Sequence, residues 1–282
     1  MKVIEQFLKS KTNIESECED SIFISKNFAA VIDGVTSKST RKYMNETSGR
    51  VCSQLIKKVL EDLPAKSSAN QAVQFLTSAV FAFYKEQGIE ELVMNFPNER
   101  VSACIAIYSN HKNEIWMVGD CQCFVGNYRY SNTKRIEISL SRIRSFFIQS
   151  ELSLGKSLDT IQANDSGREF IMPILERQSL FQNTLEDTEF SYGVIDGFKV
   201  PKNEIVVIKV ANPTIPSNII LATDGYPEIF SKLAQSEKYL NKILRDDPLC
   251  FKNHLSTKGV IPGNASFDDR AFLNIKLETK VI

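Results

Sequence analysis

Three apolar runs that are typical of buried strands each end in an aspartate. FAAVID ends at Asp33, IWMVGD ends at Asp120 and IILATD ends at Asp224, while a fourth run, AFLNIKL, begins soon after Asp268 and Asp269. In an antiparallel sheet the start of one strand lies beside the end of its neighbour. The sequence therefore predicts that these carboxylates share one edge of the core.

Hydrophobic periodicity predicts the fold class. Amphipathic helices are predicted over about 45–63, 68–88 and 236–248, the second with a capping box of Ser68 and Gln71. Short polar links between strands indicate antiparallel neighbours. Strands this numerous, flanked by amphipathic helices, predict an α+β fold in which antiparallel sheets pack together and are covered by helices. The strand-like runs cover 21–25, 28–32, 101–109, 114–119, 123–130, 190–195, 204–210, 218–223 and 271–277.

Length, charge and cysteine usage limit the classes of protein to consider. A chain of 282 residues fits a single domain, which is our prediction for 1–282. The 34 basic and 34 acidic residues cancel, so no global field favours nucleic acid or an anionic membrane. We expect a cytoplasmic protein, because the N-terminus lacks a signal-peptide core and no run approaches the ~20 apolar residues of a membrane span. The six cysteines are expected to be reduced.

Clustered carboxylates would require cations. Two carboxylates about 4 Å apart repel by roughly 4 kcal/mol at an effective dielectric constant of 20, and three such pairs approach the whole stability of a domain. All the candidate ligands are oxygen donors, which favours Mg²⁺ or Mn²⁺ over zinc. Two such ions lower the pKa of a shared water, which is a route to the hydrolysis of phosphate esters.

Asp-Gly pairs also occur in ordinary turns. The tetrapeptide VIDG occurs twice, and its second copy, in SYGVIDGFKV, is interpreted as a tight hairpin with Asp196 and Gly197 at the turn. The first copy is followed by VTSKSTRKY, which does not read as a returning strand. For Asp33 a turn and a site role therefore both stay open at this level.

Five segments in order resemble the motifs of the PPM-type, metal-dependent Ser/Thr protein phosphatases, the 2C class. They are CEDSIF, FAAVIDGVTS, IWMVGDCQCFV, IILATDGYPEIF and SFDDRAFLNI, and together they span residues 19–277. The resemblance implies a divergent member with a four-layer fold, in which two packed antiparallel sheets lie between pairs of helices. It also implies a variable flap within about 131–200.

The resemblance implies a set of metal ligands. Asp33 would bridge two metals, with the carbonyl of Gly34 on one of them, and Asp224 and Asp268 would bind the other metal. Asp269 stands where the family usually has Asn, which leaves open whether Asp268 or Asp269 binds. The remaining positions implied are Asp20 and Glu19, acting mainly through metal-bound waters, and Asp120 and Glu228, at a third and weaker metal.

The sequence also departs from the family pattern. NIESECED lacks the Arg that holds the substrate phosphate in many members, and Val35-Thr36-Ser37 replaces the family's His-Gly-Gly. Lys38, Arg41 and Lys42 offer substitute phosphate donors, of which Arg41 would suit best because its fork fits two phosphate oxygens. The two histidines, His111 and His254, are not expected to act in catalysis.

The leading hypothesis is a metal-dependent phosphatase that hydrolyses phosphoserine or phosphothreonine in a protein. A hydroxide bridging two Mn²⁺ or Mg²⁺ ions, with a third ion as an option, would attack without a covalent phosphoenzyme. One alternative is a pseudophosphatase that acts as a binding or regulatory module, and another is a phosphohydrolase acting on a small molecule. No nucleic-acid or membrane partner is expected, and the oligomeric state stays open.

Overall fold

The computed structural model describes residues 1–36, 39, 41–186, 188–210 and 218–277. Its strands are β1 (Lys2–Lys9), β2 (Ser21–Ile24), β3 (Phe28–Gly34), β4 (Ala103–Ser109), β5 (Glu114–Val118), β6 (Gln122–Val125), β7 (Tyr128–Ser131), β8 (Val206–Lys209), β9 (Asn218–Ala222) and β10 (Arg270–Lys276). Its α-helices are α1 (Ser48–Val59), α2 (Ala69–Gln87), α3 (Glu90–Asn95), α4 (Arg135–Ser153), α5 (Leu158–Asn164), α6 (Ser166–Leu175) and α7 (Leu233–Asp246).

Within the described residues the strands form two antiparallel five-stranded sheets. One has the order β1-β10-β9-β6-β7 and the other has the order β2-β3-β4-β5-β8. The sheets pack face to face around buried residues such as Val31, Ala106, Leu221 and Leu273. Helices α1 and α2 cover the outer face of the second sheet, and α7 covers the outer face of the first. The predicted α+β fold of packed antiparallel sheets between helices is confirmed.

Both faces of the central strands are buried, because one face meets the other sheet and the opposite face meets helices. In β3, Ala29 and Val31 belong to the core between the sheets, whereas Phe28, Ala30 and Ile32 belong to the core under α1 and α2. Successive residues of a strand point to opposite faces. Burial on both sides explains why the central strands read as continuous apolar runs.

Helix capping agrees with the prediction for α2. The hydroxyl of Ser68 accepts a hydrogen bond from the backbone N–H of Gln71, and the side chain of Gln71 accepts one from the backbone N–H of Ser68. Thr47 caps α1 in a similar way, by accepting from the N–H of Arg50. Such bonds satisfy N–H groups that have no partner inside the helix. Among the described helices, none has the length and apolar character needed to cross a membrane.

The strand predictions differ from the structure in three places. The patterns do not predict β1, the edge strand that pairs with β10, because Ile4 and Leu8 point outward and blur the alternation. The run 123–130 is the hairpin of β6 and β7 rather than one strand. The described residues of 190–195 form only two isolated bridges, one between Ile195 and Ala103 and one between Tyr192 and Gln182.

Asp196 and Gly197 form a turn, but no strands flank it among the described residues, so the hairpin interpretation is wrong. Gly197 has a φ of +87°. The fully buried carboxylate of Asp196 accepts hydrogen bonds from Arg100 at 3.0 Å and from Gln182 and Asn183, both at 2.7 Å. A buried carboxylate requires such partners. Asp196 therefore anchors neighbouring loops to the core.

Residues 131–200, where the flap is predicted, contain α4, α5 and α6. Arg144 of α4 is fully buried, and its guanidinium donates to Asp165 at 3.1 and 2.7 Å. It also donates to the carbonyl oxygens of Cys250 and Ser256 at 3.3 and 3.0 Å. A buried guanidinium needs this degree of pairing. Arg144 thus fixes α4 against the loop that leads to β10.

Two glycines let neighbouring backbone segments pack closely against the ends of β3 and β9. An ideal Cβ on Gly34 would overlap the carbonyl oxygens of Glu19 and Gly49, and one on Gly225 would overlap the carbonyl oxygen of Asp269. Glycine tolerates such an approach because it has no Cβ. Each Asp-Gly pair therefore places a carboxylate beside a point of close backbone contact.

We expect Gly225→Ala to lower the free energy of unfolding by more than about 3 kcal/mol, because overpacking against backbone is hard to relieve. Gly263→Ala is the matched control, since Gly263 has a φ of +93° but open space where a Cβ would lie. That variant should show only the cost of backbone strain, about 1 kcal/mol. Urea unfolding measures the free energy of unfolding of both variants. Equal decreases in the two variants would contradict the close contact at Gly225.

Candidate active site

The ends of β3, β5 and β9 bring three aspartates together. One carboxylate oxygen from each of Asp33, Asp120 and Asp224 lies within 4.8 Å of the others. The strand register explains part of this convergence, because Asp33 pairs with Cys104 at the start of β4 and β4 runs antiparallel to β5. The segment after β5 therefore reaches the same edge at which β3 ends.

The first sheet contributes Asp224 and two further aspartates, Asp268 and Asp269. Asp224 follows β9 and Asp268 precedes β10, and both line one cavity. Asp269 serves another purpose, since it accepts hydrogen bonds from the backbone N–H of Lys11 at 2.7 Å and of Glu19 at 3.0 Å. The sequence left the choice between the two aspartates open. The geometry places Asp268 at the cavity and uses Asp269 to hold two backbone segments.

Glu19 and Asp20 are buried, and Glu19 contacts the cavity residue Thr36. Glu19 Oε2 accepts hydrogen bonds from Thr36 at 2.6 Å and from Lys11 at 3.0 Å. Glu19 Oε1 and Asp20 Oδ2 are buried, and the described residues offer neither of them a hydrogen-bond partner. Orphaned buried carboxylate oxygens are costly unless a cation or water satisfies them.

Three lysines, which sequence reasoning missed, neutralise part of the negative charge. Lys134 Nζ lies 2.7 Å from Asp120 Oδ2, and both Lys258 and Lys11 form ion pairs with Asp268. Burial opposes ionisation of both aspartates, but the lysines outweigh it and lower the pKa of Asp120 and of Asp268. No local pattern marks these lysines, because a lysine in a polar segment is usually solvated.

For Asp33, Asp224 and Asp20, nearby cations do not outweigh the effect of burial on the pKa. Burial raises the pKa of Asp33 well above its ordinary value, and the charge of Asp20 adds to the effect. Burial followed by the charge of Asp33 does the same to the pKa of Asp224. Burial likewise raises the pKa of Asp20. These groups therefore resist ionisation together unless cations are present.

The cavity has a volume of about 380 Å³, and its lining includes Arg142, Arg168 and His254. Arg168 Nη1 donates to the carbonyl oxygen of Thr257 at 2.9 Å, which holds its guanidinium at the cavity wall. Burial lowers the pKa of His254, so its imidazole is neutral at neutral pH. Sequence reasoning missed all three residues as members of the site, since each lies outside the acidic motifs.

A single aspartate shapes the loop that carries part of the cavity wall. The carboxylate of Asp247 accepts hydrogen bonds from the backbone N–H groups of residues 251–254, at 2.7 to 3.3 Å. Backbone N–H groups converging on one carboxylate fix a compact turn. This turn positions His254 and leads directly to Lys258.

Two described residues that were predicted for the site form their contacts elsewhere. Arg41 donates from Nε to Glu99 at 2.9 Å and is absent from the described cavity lining. Glu228 forms an ion pair with Arg129 and is also absent from that lining. Lys38 lies outside the described residues.

The donor atoms present fit a hard divalent cation. Asp33, Asp224 and Asp268 offer carboxylate oxygens at the cavity, and Gly34 lines it beside them. Oxygen donors of this kind suit Mg²⁺ and Mn²⁺. Ions or their bound waters would also complete the contacts of the orphaned oxygens of Glu19 and Asp20.

Comparison with known proteins identifies the fold. No protein-family model and no curated protein sequence matches the chain. The crystal structure of the serine/threonine phosphatase Stp1 from Staphylococcus aureus is similar with a TM-score of 0.50 and 11% identity, covering 99% of this chain and 96% of that one. The Mycobacterium tuberculosis serine/threonine phosphatase PstP/Ppp has a TM-score of 0.49 and 14% identity, covering 98% of this chain and 100% of that one. The likeness to Stp1 shows that this chain has a serine/threonine phosphatase fold.

The raised pKa values of Asp33 and Asp224 predict how stability depends on pH. The folded chain keeps protons on these carboxyls where the unfolded chain has lost them, so the metal-free protein loses stability as pH rises above about 4. Mn²⁺ would replace the protons, so it should raise the melting temperature more at about pH 8 than at about pH 5.

Thermal unfolding in chelator and in Mn²⁺ across this pH range measures both effects. In Asp33→Asn the pH dependence in chelator should become weaker, because one of the raised pKa values is removed. A melting temperature that changes with neither pH nor Mn²⁺ would contradict this account of the site.

Proposed function

We propose that the chain is a divergent PPM-type phosphatase that uses Mn²⁺ or Mg²⁺ to hydrolyse phosphoserine or phosphothreonine in a protein. The observation that carries this proposal is the convergence of Asp33, Asp120 and Asp224 within 4.8 Å at a cavity that also contains cationic side chains. Carboxylates supply metal ligands, and cationic groups attract phosphate. Both requirements of phosphate-ester hydrolysis meet in one place.

Asp33, Asp224 and Asp268, together with the carbonyl of Gly34, would hold the metal ions. When bound, the ions would supply Lewis acidity that activates water and offsets the charge of the phosphate. Glu19 and Asp20, each with a buried oxygen that lacks a described hydrogen-bond partner, would act mainly through waters bound to the ions. Glu19 and Asp20 are buried and the three cavity aspartates are half-buried, which limits competition from bulk water.

Arg168 and Lys258 are the proposed phosphate donors, in place of the arginine that NIESECED lacks. Arg168 stays at the cavity wall through its bond to the carbonyl of Thr257. Lys258 forms an ion pair with Asp268, and a metal ion on that carboxylate would leave its ammonium group to turn toward the substrate. A guanidinium fork matches two phosphate oxygens, whereas an ammonium acts as a point charge.

Hydrolysis of p-nitrophenyl phosphate tests the proposed reaction. We expect Mn²⁺-dependent release of p-nitrophenol that falls by at least about 10²-fold in Asp33→Asn and Asp224→Asn, because ligands of the ions are removed. Asp62→Asn is the matched control, since Asp62 is exposed and far from the acidic motifs in sequence. Loss of activity in the control, or no activity with any divalent ion, would overturn the proposal.

A groove beside the cavity supports a protein substrate rather than a small metabolite. This groove, of about 640 Å³, runs along α4 and shares Arg142 and Leu255 with the acidic cavity. Its wall includes Phe146 and Leu154, whose side chains are 74% and 83% exposed. An extended phosphopeptide could place its phosphate in the cavity and an apolar side chain in the groove, which a small metabolite could not do.

A series of phosphoserine peptides with leucine or alanine at successive flanking positions tests this groove. One leucine position should raise kcat/KM by about tenfold over alanine, because its side chain leaves water. Phe146→Ala and Leu154→Ala should each reduce that preference without changing the hydrolysis of p-nitrophenyl phosphate. Met94→Ala, at an exposed apolar residue of α3, is the control and should show the same preference for leucine as the wild type. Equal rates for all peptides would contradict a peptide groove.

One observation favours the alternative of a binding module. Lys134, Lys258 and Lys11 neutralise Asp120 and Asp268 without any metal, which would allow the fold to exist as a metal-free scaffold. Calorimetric titration with Mn²⁺, combined with the phosphatase assay, separates the two functions. Absence of Mn²⁺ binding and of hydrolysis in a folded protein would favour the module.

A further inference from the structure

Lys134 is a buried cation that contacts the acidic site. Its Nζ lies 2.7 Å from Asp120 Oδ2 and 3.4 Å from Glu137 Oε1, and its side chain is 7% exposed. The ammonium also lies 5.3 Å from the centre of the Tyr192 ring. An ammonium with these partners is compensated in a buried position, so it has no tendency to leave for solvent.

The backbone of Lys134 is also fixed. It is the residue before the first turn of α4, and its carbonyl oxygen accepts hydrogen bonds from the N–H groups of Glu137 at 3.0 Å and Ile138 at 3.2 Å. Because the helix start sets the position of the Cα atom, the side chain spans a defined distance to Asp120. The ion pair therefore also ties the beginning of α4 to the end of β5.

Glu228 is the second carboxylate that the family resemblance assigns to a third metal, but its contact lies outside the cavity. Glu228 forms an ion pair with Arg129, and the described cavity lining does not include Glu228. A metal shared by Asp120 and Glu228 would have to displace both Lys134 and Arg129 from these carboxylates. Displacement of Lys134 would leave its buried ammonium with Glu137, at 3.4 Å, as its remaining ionic partner.

We propose that the ammonium of Lys134 takes the place of a third metal ion on Asp120. This inference rests on the proposed function, because it assumes that ions bind at Asp33, Asp224 and Asp268. Lys134 then acts as a positioning residue that holds one positive charge beside the metal ligands at any metal concentration. The wild-type chain should accordingly bind two ions per site and show no weaker third binding event.

Counting bound Mn²⁺ tests the proposal without relying on catalysis. Equilibrium dialysis followed by metal analysis, together with the electron paramagnetic resonance signal of free Mn²⁺, gives the number of ions and their affinities. We expect two ions for the wild type and for Lys134→Arg, which keeps the charge. Lys134→Met should bind a third ion, with lower affinity than the first two, because Asp120 is left without a cation.

A double variant isolates the role of Asp120. Lys134→Met combined with Asp120→Asn should return to two ions, since the carboxylate that attracts the third ion is gone. If a thermal melt shows that Lys134→Met is not folded, Lys134→Gln replaces it in the same comparison. The glutamine side chain is polar, uncharged and shorter than that of lysine.

The number of bound ions decides between the proposals. Three ions in the wild type, or two ions in both Lys134→Met and Lys134→Gln, would overturn the role of Lys134 while leaving the phosphatase proposal intact. No ion in any variant would overturn both proposals. Gain of a third ion in the single variant and its loss in the double variant would establish Lys134 as the built-in cation.

Discussion

Mutual repulsion of buried carboxylates is the constraint on which the rest of this structure depends. A pair of such charges about 4 Å apart costs roughly 4 kcal/mol at an effective dielectric constant of 20, which is a large part of the ~5 to 15 kcal/mol stability of a domain. The fold limits this cost by protonation of some groups, shown by the raised pKa of Asp33 and Asp224, and by ammonium groups on others. A site with both kinds of compensation can exist before any metal arrives.

Close backbone packing converts the repelling groups into a defined site. Gly225 lets the carbonyl of Asp269 approach the end of β9, while the side chain of Asp269 holds the N–H groups of Lys11 and Glu19. One acidic residue thus connects the beginning of β10 to segments near the start of the chain. The adjacent Asp268 is left to line the cavity, so two neighbouring residues of the same type have different roles.

The sequence predicted those features that have a local signal. An aspartate at the end of an apolar run is visible in the sequence, and antiparallel pairing then brings Asp33, Asp120 and Asp224 to one edge. β1 was missed because Ile4 and Leu8 face outward on an edge strand and weaken the alternation. The apolar faces of α1 and α2 were visible because helical periodicity repeats over several turns.

The lysines of the site had no such signal. Lys134 and Lys258 become important only because α4 and the loop before β10 fold back over the strand ends, and neither placement is encoded in a short spacing. The same holds for Arg168, which reaches the cavity from a helix in the region predicted to be a flap. Arg41 had a suitable local context but folds against Glu99 instead. Tertiary contacts, rather than motif composition, decide which cations meet the acidic groups.

The bond between Asp269 and Lys11 has a consequence for the order in which the site can form during synthesis. These two residues lie 258 positions apart, so the ribosome must release almost the entire described chain before the contact closes. Under the proposed function, ions held by Asp33, Asp224 and Asp268 could therefore bind only after these distant segments have met, so they could not guide early folding intermediates.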